Sequence, residues 1–198
     1  NSSVGSSGIL SFNRNRGIWM FAKSMKLLAA LFLVLTIVFA ILYRYIPGGA
    51  MLSLAITFGT IAYHFWMRLA VGYAVNGICH NQVDYNKWWF REKPFEKRLY
   101  KWLKVKKWKD KMPSFTPETW DPRTHTWEEI AGAMCQSEVV HSIIVILSFV
   151  PIAATFIWGD FWVFFITSVL SAGVDSMFVI MQRYNRPRVL RMLKRRHN

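Results

Sequence analysis

Four stretches of nearly unbroken apolar character divide the chain, near residues 25–46, 50–75, 139–158 and 161–182. Each can supply the roughly 20 helical residues that cross a bilayer core of ~30 Å. Lipid offers no partners for open backbone groups, so each stretch must close its hydrogen bonds within a helix. The pattern therefore predicts an all-α integral membrane protein with four transmembrane helices. Pro47-Gly48-Gly49 and Trp158-Gly159-Asp160 interrupt the first and last pairs. Such short connections predict two antiparallel hairpins.

A different pattern fills residues 76–138. Tyr85–Phe90 (YNKWWF) and Leu99–Trp108 (LYKWLKVKKW) interleave large aromatics with lysines. This predicts amphipathic helices lying in the membrane interface, with rings in the lipid and ammonium groups among the headgroups. Pro113 should end the second of them, because proline disfavours helix in the residue before it. From Pro113 to Pro122 the chain reads as an ordered loop. Trp127, Ile130 and Met134 then recur at helical spacing over 126–137 and lead into the third span. The organisation is thus a leader and N-terminal segment (1–24), a hairpin (25–75), a basic-aromatic segment (76–138), a second hairpin (139–182) and a basic tail (183–198). Asn1 to Gly8 (NSSVGSSG) reads as an expression remnant or disordered leader.

Charge orients this layout. Lysine and arginine number 25 against 11 acidic residues, a net charge of +14. Arg14, Arg16, Lys23 and Lys26 precede the first span; Arg183, Arg186, Arg188, Arg191, Lys194, Arg195 and Arg196 follow the fourth. Most of the remaining basic residues lie in the middle segment. Basic residues concentrate on the cytoplasmic side, so both termini and the middle segment should face the cytoplasm. Because the charge flanks spans, it suits anionic lipid heads or a phosphorylated substrate rather than nucleic acid. Cys79 and Cys135 fall at cytoplasmic span ends, where thiols stay reduced, and no disulfide or zinc site is expected from them.

Candidate chemistry sits at the span ends. Glu138 and His141 are three apart at the mouth of the third span, so a helix puts them on one face. A carboxylate can fix the tautomer of an imidazole and raise its basicity, which equips a general base for a hydroxyl group. The plainer reading makes Glu138 a first-turn acid and His141 an interfacial side chain. Glu-x-x-His is also half of a di-iron site, but a second pair is lacking and no metal is expected. Within the spans, His64, Arg68 and Asp175 are costly to bury and should pair. His64 and Asp175 share a depth of ~21 Å from the outer side at ~1.5 Å per residue. A cluster of Asp175 with His64 or Arg68 is expected beneath Glu138 and His141; its alternative is a purely structural polar clamp. Lys104, Lys106, Lys107, Lys109 and Lys111 could be a lipid anchor only, and Arg186 and Arg188 topology determinants only.

Taken together, Phe95-Glu96, the run Lys104 to Pro113 (KVKKWKDKMP), Glu138-x-x-His141 and Gln182-Arg183-Tyr184-Asn185-Arg186-Pro187-Arg188 resemble the ordered motifs of the glycosyl-4,4'-diaponeurosporenoate acyltransferase family. These are bacterial membrane proteins assigned to the last step of staphyloxanthin-type carotenoid synthesis. The similarity covers roughly residues 85–195. It implies transfer of a fatty acyl chain, from acyl-CoA as co-substrate, to a sugar hydroxyl of a membrane glycolipid, in a bacterial inner membrane and with no cofactor.

The residues suit that reaction. Acyl transfer from a thioester to an alcohol needs a base and a donor for the developing oxyanion. His141 is expected as base, Glu138 as its orienting partner, and Asn185 or Arg68 as the oxyanion donor. The Lys104 to Lys111 run, with Arg183, Arg186 and Arg188, could clamp the coenzyme phosphates. A rival reading from another class is a non-enzymatic adaptor that binds anionic lipid and a partner protein, but it leaves the ionisable span residues unexplained. A transporter is weaker still, since four spans give little room for alternating access unless copies assemble as a homo-oligomer.

Overall fold

The computed structural model of the protein describes residues 23–46, 48–112 and 119–195 with their side chains, and residues 4–22, 117–118 and 196–197 as backbone. Asn1–Ser3, Pro47, residues 113–116 and Asn198 lie outside the described residues, as do the side chains of Arg14, Arg16 and Arg196. The described chain is helical throughout, with no strand. It comprises α1 (Val4–Tyr45), α2 (Gly49–Cys79), α3 (Glu96–Trp102), α4 (Val105–Trp108), α5 (Trp127–Leu147), α6 (Thr155–Trp158) and α7 (Phe161–His197). Four segments are long and apolar enough to cross a membrane: Lys23–Tyr45, Gly49–Cys79, Trp127–Trp158 and Phe161–Arg195. The protein is a membrane protein.

Two compact units make up the chain, one of residues 1–65 with 113–118, the other of residues 66–112 with 119–198. In the first, Phe32 stacks on Phe58 and Phe65 at 6.1 and 5.8 Å, and Phe39 stacks on Phe58 at 5.4 Å. Gly59 lies so close to α1 that a β-carbon there would stand 3.3 Å from Thr36 Cγ2. Most other large side chains of α1, Leu27, Leu31, Val34, Ile37 and Ile41 among them, are exposed. An apolar surface of that extent suits lipid rather than water.

The second unit is built on α5 and α7. Glu138 meets Arg186, His141 meets Asp175 and Ser148 meets Ser171, so contacts rise along one helix as they fall along the other. The two helices are therefore antiparallel. Thr126 starts α5 with a capping box: its hydroxyl accepts from the Glu129 amide, and the Glu129 carboxylate accepts from the Thr126 amide. The end of α2 is fastened to α5 by Gln136, which donates to Asn76 Oδ1 and accepts from the Asn81 amide. His80 and Asn81 turn the chain there with φ of 47° and 60°. Gly132 faces this turn, and a β-carbon on it would come 2.8 Å from Asn81 O. Only glycine allows that approach.

The helix expected over 126–137 and leading into the third span forms as α5, which starts at Trp127 and yields to a 3₁₀ turn over Val150–Ala154 that carries Pro151 at its start. Proline lacks the amide and crowds the carbonyl four residues back, which accounts for the break. Helix α7 continues beyond the apolar run that ends near 182, to His197, with Pro187 inside it. Lastly, the basic-aromatic segment forms a 3₁₀ turn at Trp88–Phe90, then α3, α4 and another 3₁₀ turn at Lys109–Lys111, instead of two continuous helices. Lys104, at φ 50°, separates α3 from α4. Met112 turns extended, as its place before Pro113 predicts. The turn at Trp158-Gly159-Asp160 is as expected, with Gly159 at φ 80° ending α6.

Candidate functional site

Two polar centres lie along the α5–α7 interface. The first is built around Asp175, a carboxylate nearly closed to solvent. Arg68, on the last turns of α2, reaches its Oδ2 from Nε (3.1 Å) and Nη2 (2.6 Å). The other oxygen, Oδ1, stands 2.8 Å from His141 Nδ1. Arg68 Nη2 also donates to Ser171 Oγ (2.8 Å), which in turn pairs with Ser148 Oγ at 2.9 Å. His141 lies flat on Phe178, with ring centroids 4.5 Å apart and planes 7° from parallel.

This arrangement fixes the imidazole. In the neutral tautomer that has Asp175 Oδ1 as acceptor, the proton sits on Nδ1. Nε2 then carries the lone pair. Nε2 makes no hydrogen bond among the described residues, and the His141 side chain keeps 21% of its surface open, against 2% for Asp175. Asp175 is thus buried, whereas the side chains of Arg68 and His141 are both about one-fifth exposed, at 20% and 21%.

The second centre is a network of ion pairs. Glu138 Oε1 accepts from Arg183 Nη1 at 2.6 Å, and Oε2 accepts from Arg186 Nη2. Arg183 also holds Glu96 Oε1, from Nη2 (2.5 Å) and Nε (3.0 Å), while Glu96 Oε2 accepts from Tyr100 Oη at 2.7 Å. The backbone carbonyls of Trp89, Phe90 and Arg91 take further guanidinium hydrogens. Two carboxylates face two guanidiniums, so the network is neutral, and it pins the Trp88–Tyr100 segment onto α5 and α7. Burial, then the hydrogen bond and charge of Glu96, push the Tyr100 hydroxyl far above the usual phenol range. Tyr100 therefore stays a donor.

The expected pairing of Glu138 with His141 does not form. One helical turn brings them to the same face, but both Glu138 oxygens are occupied by arginine, and Asp175 takes the place assigned to Glu138. Arg183 and Arg186 are turned inward onto carboxylates, and of their six guanidinium nitrogens Nε of Arg186 alone has no partner. Asn185 is ten residues from Asp175 on α7, ~15 Å along the axis, too far to share a carbonyl with His141. Arg68 is engaged with Asp175 and Ser171, which makes it a positioning group rather than an oxyanion donor. Arg188 is exposed beside Tyr184, with its guanidinium 5.2 Å from the ring. Lys106, Lys107 and Lys111 are exposed, whereas Lys109 pairs with Asp110. His64 belongs to the first unit, buried edge-on to Tyr63 at 5.5 Å.

Glu96, Tyr100, Ser171 and Phe178 were missed as site residues. Ser171 had a signal, standing one helical turn before Asp175; Glu96 had another, as an acid within a basic stretch. Phe178 had none, because a phenylalanine in a span is ordinarily core or lipid-facing. Cys79 and Cys135 are free thiols.

No curated protein and no solved structure matches the chain. A family model, that of glycosyl-4,4'-diaponeurosporenoate acyltransferase, matches residues 86–195. The match takes in both polar centres except Arg68, and it spans more than half of the chain. The chain therefore belongs to the glycosyl-4,4'-diaponeurosporenoate acyltransferase family, the acyltransferases of carotenoid glycolipid biosynthesis.

Proposed function

We propose that the protein transfers a fatty acyl chain from acyl-CoA to a sugar hydroxyl of a membrane glycolipid, with His141 as general base. The observation that carries this reading is the His141–Asp175 contact, in which Nδ1 faces a buried carboxylate while Nε2 has no partner among the described residues. In the reaction, Nε2 takes the proton of the sugar hydroxyl as its oxygen attacks the thioester carbonyl. The tetrahedral intermediate then collapses, the C–S bond breaks, and the departing thiolate takes the proton from the imidazolium. No covalent enzyme intermediate is needed, and the imidazole ends neutral as it began.

Asp175 acts in two ways. It holds the tautomer that presents the Nε2 lone pair, and it stabilises the imidazolium formed during proton transfer. Arg68, with Ser171, fixes the position of the carboxylate. Phe178 restrains ring rotation of His141, so the lone pair keeps one direction. Preorganisation of this kind lowers the barrier because the base need not be ordered during the reaction.

The reading also gives the membrane layout a purpose. Two helical hairpins in a bacterial inner membrane, with termini and the middle segment cytoplasmic, place the donor's phosphates near Lys104, Lys106, Lys107, Lys111 and Arg188. The acyl chain and the acceptor's lipid tail then remain in the bilayer. Membranes containing the protein, incubated with isotope-labelled acyl-CoA and a carotenoid glycoside, should yield a labelled ester detectable by mass spectrometry. Recovery of free fatty acid alone, without a new ester, would contradict the reading.

A further inference from the structure

A groove of about 320 Å³ opens on the far side of the ion-pair network from His141. One wall is a single stripe of α7: Arg183, Arg186, Pro187, Leu190, Leu193 and Lys194 recur at the spacing of one helical face. The other wall comes from Tyr85, Asn86, Phe90 and Arg91, and its floor is closed by Glu96 against Arg183. Polarity is graded along it. Leu190, Leu193, Pro187 and Phe90 supply an apolar flank, whereas the exposed Arg91 and Lys194 stand at the rim with one acid, Glu92.

Within the wall, one buried cation is incompletely used. Arg183 donates from all three guanidinium nitrogens, but Arg186, 2% exposed, leaves Nε without a partner. Its Nη groups hold Glu138 and the Phe90 carbonyl, and its guanidinium carbon stands 5.0 Å from the Phe90 ring centroid. An orphaned buried guanidinium N–H is costly unless an acceptor visits it. With Glu138 and Glu96 neutralising Arg183 and Arg186, and Glu92 offsetting one rim cation, the rim keeps a surplus positive charge. The size falls at the lower end of small-molecule sites, enough for one head group and too small for a whole coenzyme.

We propose that this groove is a binding site for the phosphate-bearing head of an amphiphile, its apolar part lying along Pro187, Leu190 and Leu193. A phosphoryl oxygen is the acceptor that Arg186, Arg91 and Lys194 together recognise, since arginine matches its geometry and lysine adds a point charge. The same chemistry is carried by an anionic phospholipid and by an acyl thioester of coenzyme A. The site does not depend on His141.

Binding without turnover tests it. Purified protein in neutral detergent is titrated with two probe pairs, followed by native mass spectrometry: dioctanoyl-phosphatidylglycerol against dioctanoylglycerol, and decanoyl-CoA against decanoyl-pantetheine. The phosphate-bearing probe of at least one pair should be retained at one molecule per chain, and its phosphate-free counterpart at least tenfold more weakly. Arg91→Gln with Lys194→Gln should weaken that binding about 30-fold, roughly fivefold for each basic group removed. The two substitutions are at exposed positions, so folding is not at stake. The pair whose binding responds to them identifies the source of the phosphate as lipid or acyl donor. Equal retention within both pairs, or phosphate-dependent binding that in neither pair responds to Arg91→Gln with Lys194→Gln, would overturn the proposal; decanoyl-CoA binding that follows only Lys106→Gln with Lys107→Gln reports the donor site of the proposed function and counts as no response here. Since no acyl transfer is measured, a failure of His141 as base would leave this result untouched.

Discussion

The two polar centres on α5 and α7 use the same vocabulary and differ in what they leave over. Around Glu138, both carboxylate oxygens are filled by arginine, and those arginines are held in turn by Glu96 and three backbone carbonyls, with no basic atom left over. Around Asp175, the carboxylate is equally full, but it spends one oxygen on an imidazole whose second nitrogen is open. A network without a free basic atom holds segments together; one that leaves such an atom open presents it to a substrate. Position says the same. The Glu138 centre ties the Trp88–Tyr100 segment to the helices, whereas the His141 centre involves spans alone.

That contrast can be broken most severely at Glu138. Glu138→Ala would strand the buried Arg186 charge, and loss of one partner from such a pair costs about 3–5 kcal/mol. Against typical stabilities of ~5–15 kcal/mol this is a large share. Denaturant titration in detergent should therefore show a strongly lowered midpoint, with activity lost through unfolding. If Glu138→Ala instead kept wild-type stability and lost turnover alone, the division of labour between the centres would be reversed.

Asp175→Asn sharpens the other side. It keeps shape but removes the charge that fixes the His141 tautomer, so kcat should fall by roughly 10²–10⁴-fold. KM should change far less, because no substrate contact is assigned to Asp175. A fall in turnover matched by an equal fall in the amount of folded protein would argue for a purely structural Asp175.

The smallest effect concerns the surface. Replacing Lys106, Lys107 and Lys111 by Gln should raise KM for acyl-CoA several-fold and leave kcat nearly constant, because contacts to remote phosphates contribute uniform binding. The rise should shrink at high salt, where exposed charges are screened within ~10 Å at 0.1 M. An unchanged KM would return those lysines to lipid anchoring.

Hydropathy alone made the four spans legible, because only an apolar helix of that length satisfies its backbone in lipid. The Thr126 to Glu129 capping box and the glycine turn at Gly159 were equally open to reading, as both depend on near neighbours. The pairing of His141 was not. Spacing of three suggested Glu138, a neighbour on the same helix, whereas the partner is Asp175 on a facing helix whose register no local pattern specifies. Asp175 with Arg68 was anticipated from the cost of burying charge; that the pair also serves His141 followed only from the three-dimensional register. α7 runs through Pro187, and Arg183 and Arg186, both ahead of the prolyl ring in the chain, are held by partners across the fold.

The central claim is that His141 Nε2 removes the hydroxyl proton, and His141→Ala tests it most directly. With folding and insertion verified by circular dichroism and gel filtration, ester formation from labelled acyl-CoA should fall by about 10²–10⁴-fold at constant protein. Turnover within a few-fold of the wild-type rate would contradict the account.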